Sequence, residues 1–280
     1  FWLNPVKDGY MCRLRIPGGI VTSHQLLALA AAADDLSTGY IQITTRANFQ
    51  VRVIQPKDCP EFLDRIQACG LHSRGSGADN IRNITASPTA GFDPCEIIDV
   101  RPFVRDLAAR IANSHAYYDL PRKFNIAIEG GSMISSVEDT NDIGATAVRV
   151  GPNDAGLEPG GYFRIALGGA TGLKSFAQDA GVLVAPGELV DVLLAIVRVF
   201  IRDGDRTNRK RARLKYLLEK RGLEGFRDDF EKELGRSLPS VAPDAPFQSR
   251  AEIPPHPHPH VGVFPERDAR LRYAGISIPV

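Results

Sequence analysis

The chain is poor in sulfur, has no excess of either charge, and contains no long apolar run. Only four cysteines occur among its 280 residues, Cys12, Cys59, Cys69 and Cys95. Their separations of 47, 10 and 26 residues match no zinc, CxxC or cluster spacing, so no metal ligands are assigned from sequence. Cys12 falls in an alternating, strand-like run and Cys69 at a helix end, which marks them as buried, reduced thiols in a cytoplasmic protein. Thirty-four basic residues against 33 acidic ones leave a net charge of +1. No global field draws the chain to nucleic acid or to a membrane surface, and any anion site must come from local clustering. The most apolar stretch, 182–201, is interrupted by Glu188, Asp191 and Arg198, so no span of a bilayer is expected. The first residues, "FWLNPVKDGY", lack the cationic-then-apolar order of a signal peptide. They also lack an initiator Met, which points to a processed or truncated start. What remains is an ordinary globular composition, long enough for two compact domains.

"GYMCRLRIPGG" alternates as a strand and stops at a glycine pair. "VTSHQLLALAAAADDL" reads as a helix, with Thr22 and Gln25 as a capping box and Leu26, Leu29, Ala30 and Ala33 as its apolar stripe. "GYIQITTR" and "NFQVRVI" are two strands in close succession, and "PKDCPEFLDRIQACG" is a second helix closed by Gly70. This β-α-β-β-α order predicts a ferredoxin-like α+β half-domain over residues 1–76. The glycine-rich "SRGSGADN" then marks a boundary. A second, mixed α/β domain is expected over 77–238, with a helix in 99–113, strands at 124–129, 143–151 and 162–167, and a helix in "PGELVDVLLAIVRVFIRDG". That helix places Leu189, Leu193, Ile196, Val197 and Phe200 on one face. Two further helices are predicted, 207–220 ending at Gly222 and 223–234 ending at Gly235.

Eight of the twenty prolines lie in 239–265, so 239–270 reads as an extended linker. Within it, His256, His258 and His260 alternate with proline. Polyproline II has three residues per turn and does not align every second side chain, which argues against a metal site there. The segment "LRYAGISIPV" (271–280) repeats the Tyr-to-Ile-Pro strand of 9–19. We expect it to be the first strand of a second, truncated half-domain, either poorly anchored or paired with a strand of the first.

Four basic clusters stand out in this neutral chain. Arg46 ends "TTR", Arg82 lies in "DNIRNITASP", and Arg122 and Lys123 lie in "LPRKFN". Arg206, Arg209, Lys210 and Arg213 have the i, i+3, i+4, i+7 spacing of one helix face, with Lys215 near it. Short hydrogen-bonding residues flank Arg46 (Thr44, Thr45, Asn48) and Arg82 (Asn80, Asn83), placed to hold a guanidinium. Guanidinium forks suit carboxylates and oxyanions, so the pattern implies a polyanionic ligand.

The ordered motifs "YIQITTRANFQVR", "NIRNITASPTAGFDP", "LPRKFNIAIEGG", "DTNDIGATAVRVG", "LGGATGLKSFAQDAGVLV" and "GDRTNRKRARLKYLLEKRG" resemble those of the nitrite and sulfite reductase family, over nearly the whole chain. The pattern is most similar to the N-terminal half of the ferredoxin-dependent assimilatory nitrite reductases. The resemblance implies half of a pseudo-twofold duplicated fold that reduces nitrite by six electrons at sirohaem bridged to a [4Fe-4S] cluster. Ferredoxin or an equivalent donor is the implied electron source. It implies Arg46, Arg82 and Lys123 as the residues that hold the substrate oxyanion. Arg122, Arg206, Arg209, Lys210, Arg213 and Lys215, with Thr44, Asn48 and Asn83, are then implied on the sirohaem side. Sulfite reductases tend to carry a second lysine two positions after the first, so Asn125 matches the nitrite pattern.

Departures accompany the likeness. Ala47 replaces a glutamine common after the "TTR" arginine, and Ala86 stands where some relatives have cysteine. The family's cluster ligands, spaced C-x5-C and C-x3-C in the C-terminal half, do not occur here. The expectation is therefore a chain that supplies the distal side, inactive until joined to a C-terminal half. A sulfite reductase, a precorrin-3B synthase relative and a non-catalytic tetrapyrrole-binding module are the competing readings. An RNA-binding ferredoxin-like fold is disfavoured, because the central strands offer few aromatics for base stacking.

Overall fold

The computed structural model describes residues 1–4, 9–152, 156–242, 245–249 and 260–278. The first 70 residues form an antiparallel sheet backed by two helices. The elements run β1 (Trp2–Asn4), β2 (Gly9–Leu14), α1 (Ser23–Leu36), β3 (Gln42–Ile43), β4 (Phe49–Ile54) and α2 (Cys59–Ala68). The sheet order is β1-β2-β4-β3, with every pair antiparallel. Leu14, Val51 and Ile54 meet Leu29 and Ala33 of α1 and Phe62 and Ile66 of α2 in one core. The capping box forms as expected: the Gln25 N–H donates to Thr22 Oγ1 and the Thr22 N–H to Gln25 Oε1.

The buried stripe of α1 differs from expectation. Leu29, Ala32 and Ala33 are buried, whereas Leu26 is exposed. The helix is apolar most of the way round, so periodicity alone leaves its inner face undecided, and the side chains of alanine allow the closer approach. The strand expected over "GYIQITTR" shrinks to the two exposed residues of β3, because a tight turn at 44–48 begins immediately after it.

The second sheet is built from β5 (Ile81–Thr85), β6 (Phe124–Glu129), β7 (Ile143–Val150), β8 (Gly160–Leu167) and β9 (Gln178–Val184), in sequential order. The pairs β5-β6 and β6-β7 are parallel, and β7-β8 and β8-β9 antiparallel. Strands β5 and β9 add to the three expected from sequence. Helices α3 (Arg101–Asn113), α4 (Leu189–Asp203), α5 (Leu214–Arg221) and α6 (Leu223–Leu234) cover the sheet. The predicted face of α4 is buried, but so are Val192, Leu194, Ala195 and Val199, because α3 and α6 also pack on this helix.

The helix expected over 207–220 begins only at Leu214. Residues 205–213 form turns instead, in which Asp205 and Asn208 accept from nearby backbone N–H groups. Asp205 Oδ1 accepts from the Thr207 and Asn208 N–H groups at 2.7 and 3.2 Å, and Asn208 Oδ1 accepts from the Lys210 N–H at 3.1 Å. The shared helix face proposed for Arg206, Arg209, Lys210 and Arg213 therefore does not exist.

Described parts of 239–270 lie against the second sheet. Ser240 bridges to Val182 and Gln248 to Arg149, and Phe247 packs with Val148 and Leu183. His256 and His258 fall outside the described residues. Strand β10 (Gly262–Pro265) pairs antiparallel with β11 (Arg272–Gly275). The terminal strand thus pairs within its own hairpin and not with the first sheet, since the nearest free edge in sequence is β10. The Arg267 N–H donates to the Phe92 oxygen at 2.7 Å and tethers the hairpin to the second domain. No helix among the described residues is long and apolar enough to cross a bilayer.

Candidate functional site

Parallel strands β5, β6 and β7 all begin at the same end of their sheet, and the basic motifs sit at those beginnings. Arg82 is the second residue of β5, Lys123 immediately precedes β6, Asn125 is its second residue, and Asp142 immediately precedes β7. Because β8 runs antiparallel, its final residues reach the same end and deliver the loop 168–175 there. Gly169 lies so close to the Asp139 and Asn141 carbonyl oxygens that a Cβ would collide with both. The 44–48 turn after β3 supplies Arg46, and the 205–213 turns supply Arg209, Lys210 and Arg213.

These segments enclose a cavity of about 830 Å³. Seven cations line it, Arg46, Arg82, Arg122, Lys123, Arg209, Lys210 and Arg213, together with Thr45, Asn125 and residues 170–173. No carboxylate is among the lining residues. Two acids stand behind them. Asp79 receives Arg122 Nη1 at 3.1 Å and an ion pair from Arg209, and also accepts the Lys123 N–H at 3.2 Å. Burial pushes the Asp79 carboxyl up, but the hydrogen bonds from Arg209 and Arg122 outweigh it and hold it below its ordinary value. Asp142 is buried and receives Arg213 in a two-pronged fork, Nε at 3.0 Å and Nη2 at 2.8 Å, plus the Asn125 N–H at 2.9 Å. Burial drives Asp142 upward, and the Arg213 fork, the Asn125 N–H and Arg46 oppose it.

The remaining cations are less committed. Among the described residues, the Arg46 guanidinium makes two long hydrogen bonds, both 3.4 Å, to Thr140. Arg82 folds its Nε and Nη2 onto the Ala78 oxygen, each at 3.2 Å. The Lys123 ammonium forms no ion pair or hydrogen bond among the described residues. Its pKa is lowered, first by burial and then by the charges of Arg213, Arg82 and Arg122. Burial likewise lowers Arg46 and Arg82. Bringing these charges together without a facing anion is costly, and a bound polyanion relieves that cost.

Eight of the residues given a site role from sequence come together here: Arg46, Arg82, Arg122, Lys123, Asn125, Arg209, Lys210 and Arg213, with Thr45 beside them. Thr44, Asn48 and Asn83 lie behind the wall and hold backbone. Thr44 Oγ1 accepts the N–H groups of Arg46 and Asn48, at 3.3 and 3.1 Å. Asn48 accepts the Ile16 N–H and donates to the Arg82 oxygen, each at 3.1 Å. Asn83 Nδ2 donates to the Ile16 and Arg46 oxygens at 2.7 and 2.8 Å. These contacts splice the two domains together and fix the peptide units that carry Arg46 and Arg82, where guanidinium contacts had been expected. Arg206 turns aside to the Asp119 and Ile201 oxygens, and Lys215 pairs with Glu219.

Sequence reasoning missed Asp79, Asp142, the 170–173 loop and Arg13. Arg13 lines an adjoining small cavity under the glycine-rich 75–78 loop and stands close enough for its charge to depress Arg82. Its signal was the alternation of "YMCRLRI", which points Arg13 and Arg15 to one face and Cys12 and Leu14 to the other.

The fold and the cavity define an α+β protein with a cation-lined cavity at the starts of its parallel strands. Residues 77–238 match the family model "Nitrite and sulphite reductase 4Fe-4S domain", and residues 4–69 match "Nitrite/Sulfite reductase ferredoxin-like half domain". The chain belongs to the nitrite and sulfite reductase family, whose cofactors are sirohaem and a [4Fe-4S] cluster. It is 38% identical over 290 residues to a ferredoxin–nitrite reductase of Synechococcus elongatus, covering 100% of this chain and 54% of that protein. It is 33% identical to a chloroplastic ferredoxin–nitrite reductase of Zea mays, covering 97% and 47%. The Mycobacterium tuberculosis NirA protein superposes with a TM-score of 0.81 at 28% identity, over 94% of this chain and 45% of that one. The chain spans about half the length of the curated relatives it matches.

The cavity fits the tetrapyrrole. Its volume lies in the range of cofactor sites, and its seven cations, with no carboxylate among the lining residues, suit a ring rimmed with carboxylates. It does not fit the cluster, because none of the four cysteines lines it.

Proposed function

We propose that this chain is the substrate-binding N-terminal half of an assimilatory, ferredoxin-dependent nitrite reductase working in the cytoplasm. The observation that carries this reading is the cavity lined by seven cations and no carboxylate within the family domain. Arg122, Arg209 and Lys210 face the tetrapyrrole carboxylates, while Arg46, Arg82 and Lys123 hold the nitrite oxygens. When bound, sirohaem with its cluster would pass on, one at a time, the six electrons that the ferredoxin donor supplies. The chain's own part is to neutralise the anion, orient it and deliver protons to oxygens that leave as water. Lys123 suits proton delivery, because burial and neighbouring cations make its ammonium a stronger acid than an ordinary lysine. The residues that ligate the cluster come from a C-terminal half, and without them the chain is inactive.

Asn125 sets the preference for nitrite. Its backbone is pinned by Asp142 and its side chain lines the cavity as a neutral group, which leaves less charge for a dianion. The test uses the enzyme that contains both halves. Lys123→Ala and Arg46→Ala each lower nitrite turnover roughly 30- to 1000-fold while sirohaem stays bound, since a lost charge-assisted contact is worth roughly 2–4 kcal/mol. In the same series, Asn125→Lys moves relative activity toward sulfite. Turnover within about twofold of wild type in Lys123→Ala contradicts the assignment.

A further inference from the structure

A second cationic site lies away from the strand starts, between α2 and α3. The groove there has a volume of about 780 Å³. Pro17, Leu63, Ala108 and Ala112 form an apolar floor, and His72, Arg74 and Arg105 stand along it. No carboxylate lines the groove. Arg105 forms no ion pair or hydrogen bond among the described residues, and Arg74 donates only to the Ala112 oxygen, at 3.1 Å.

A buried cation, Arg15, stands near enough to this groove for its charge to act on His72. Arg15 is 3% exposed and has no ion-pair partner among the described residues. Its Nη2 donates to the Gly75 and Ile81 oxygens, while Nε and Nη1 are buried without an acceptor. The Arg15 backbone N–H donates to the His72 backbone oxygen at 3.0 Å, and the Arg15 charge acts on the His72 imidazole. His72 Nδ1 is also buried without a partner. Buried polar groups are ordinarily satisfied and buried charges ordinarily paired. Here, among the described residues, three nitrogens of Arg15 and His72 lack partners, and the groove that His72 lines has no acid of its own. Burial first, then Arg15 and Arg74, lowers the His72 pKa, so the imidazole is ready to gain a proton when a negative charge arrives.

We propose that the groove between α2 and α3 binds a small amphiphilic anion, a carboxylate or phosphate head on a short apolar body. The head sits against His72 and Arg105, with Arg15 behind supplying positive potential. The body lies along Pro17, Leu63 and Ala112. This site is independent of the cavity at the strand starts and uses none of its residues.

The test titrates the full chain with octanoate and, separately, with inorganic phosphate, following the His72 imidazole by NMR. Octanoate shifts the His72 resonance saturably, raises its pKa, and binds about tenfold or more tightly than phosphate because its chain is buried. Arg105→Ala, an exposed change, weakens octanoate about tenfold or more. Ala112→Leu, which fills the floor, also weakens octanoate but leaves phosphate unchanged. Binding persists in Lys123→Ala, which separates the groove from the other cavity. A His72 resonance that does not saturate with octanoate, equal affinity for the two probes, or octanoate binding unaffected by Arg105→Ala overturns the proposal.

Discussion

The two ends of the five-stranded sheet use the same kinds of side chain in opposite ways. At the strand starts, seven cations line an open cavity with only Asp79 and Asp142 behind them. At the far ends of β5 and β6, buried carboxylates are closed upon by backbone. Glu129 receives the N–H groups of Gly131, Ser132 and Ser136 at 3.2, 3.1 and 2.7 Å. Asp93 receives those of Cys95 and Met133 at 2.9 and 2.7 Å and the Thr89 hydroxyl at 3.2 Å. Carboxylates that meet N–H groups tie loops down and leave nothing to offer a ligand. Cations without acids leave an unsatisfied field that a ligand must complete. Open α/β sheets usually bind at the carboxyl ends of their strands. Here those ends carry buried acids held by backbone N–H groups, and the cation-lined cavity lies at the opposite end.

The strongest way to break the comparison is to remove the acid that holds the cationic end together. Asp142→Ala strands Arg213, whose side chain is 11% exposed, without its fork. We expect a loss of about 3–5 kcal/mol in urea unfolding, because an unpaired buried charge remains. A loss below about 1 kcal/mol would place Arg213 in water and not in the wall.

The filled end makes the complementary test through Glu96. Its side chain is fully buried, and burial pushes its pKa up to about 7 despite the Gly91 N–H and Arg267 of the terminal hairpin. Asp99 and Asp93 push in the same direction as burial. The folded protein therefore holds this proton more tightly than the unfolded chain does. The associated stability is present in full below the ordinary carboxyl pKa and is lost as pH rises through about 7. Glu96→Gln cannot ionise, so its stability relative to wild type should rise by on the order of 2–3 kcal/mol from acid to mildly alkaline pH. A difference that stays flat with pH in thermal unfolding contradicts this account of the filled end.

The smallest effect sharpens the open end. Asp79 is partly exposed, and its pairs with Arg122 and Arg209 are screened by solvent. Asp79→Asn should cost no more than about 1 kcal/mol of stability, yet bind anions more tightly because two guanidiniums are released. Anion affinity that falls in this variant would show that Asp79 positions those arginines and does not restrain them.

Much of this contrast was legible in the sequence, but unevenly. The capping box at Thr22, strands β2, β4 and β6, and eight of the cavity residues came from local pattern and family motifs. The span 207–213 misled, because i, i+3, i+4, i+7 charges occur in a turn as readily as in a helix, and Asp205 and Asn208 favour the turn. Asn48 and Asn83 looked like guanidinium holders because sequence does not say whether an amide faces a side chain or a peptide. Asp79 and Asp142 were invisible for another reason. Their partners lie 130 and 71 residues away, and only the fold brings them together. Strands β5 and β9 had too little alternation of their own, and neighbouring strands impose their extended form.

The most direct test of the central claim, that the chain's own cations form a tetrapyrrole site, is a sirohaem titration of the purified chain followed by the Soret band. We expect saturable one-to-one binding that weakens with salt and falls about tenfold or more when Arg122, Arg209 and Lys210 are replaced together by alanine. Absence of saturable binding, or binding that the triple replacement leaves unchanged, would contradict the claim.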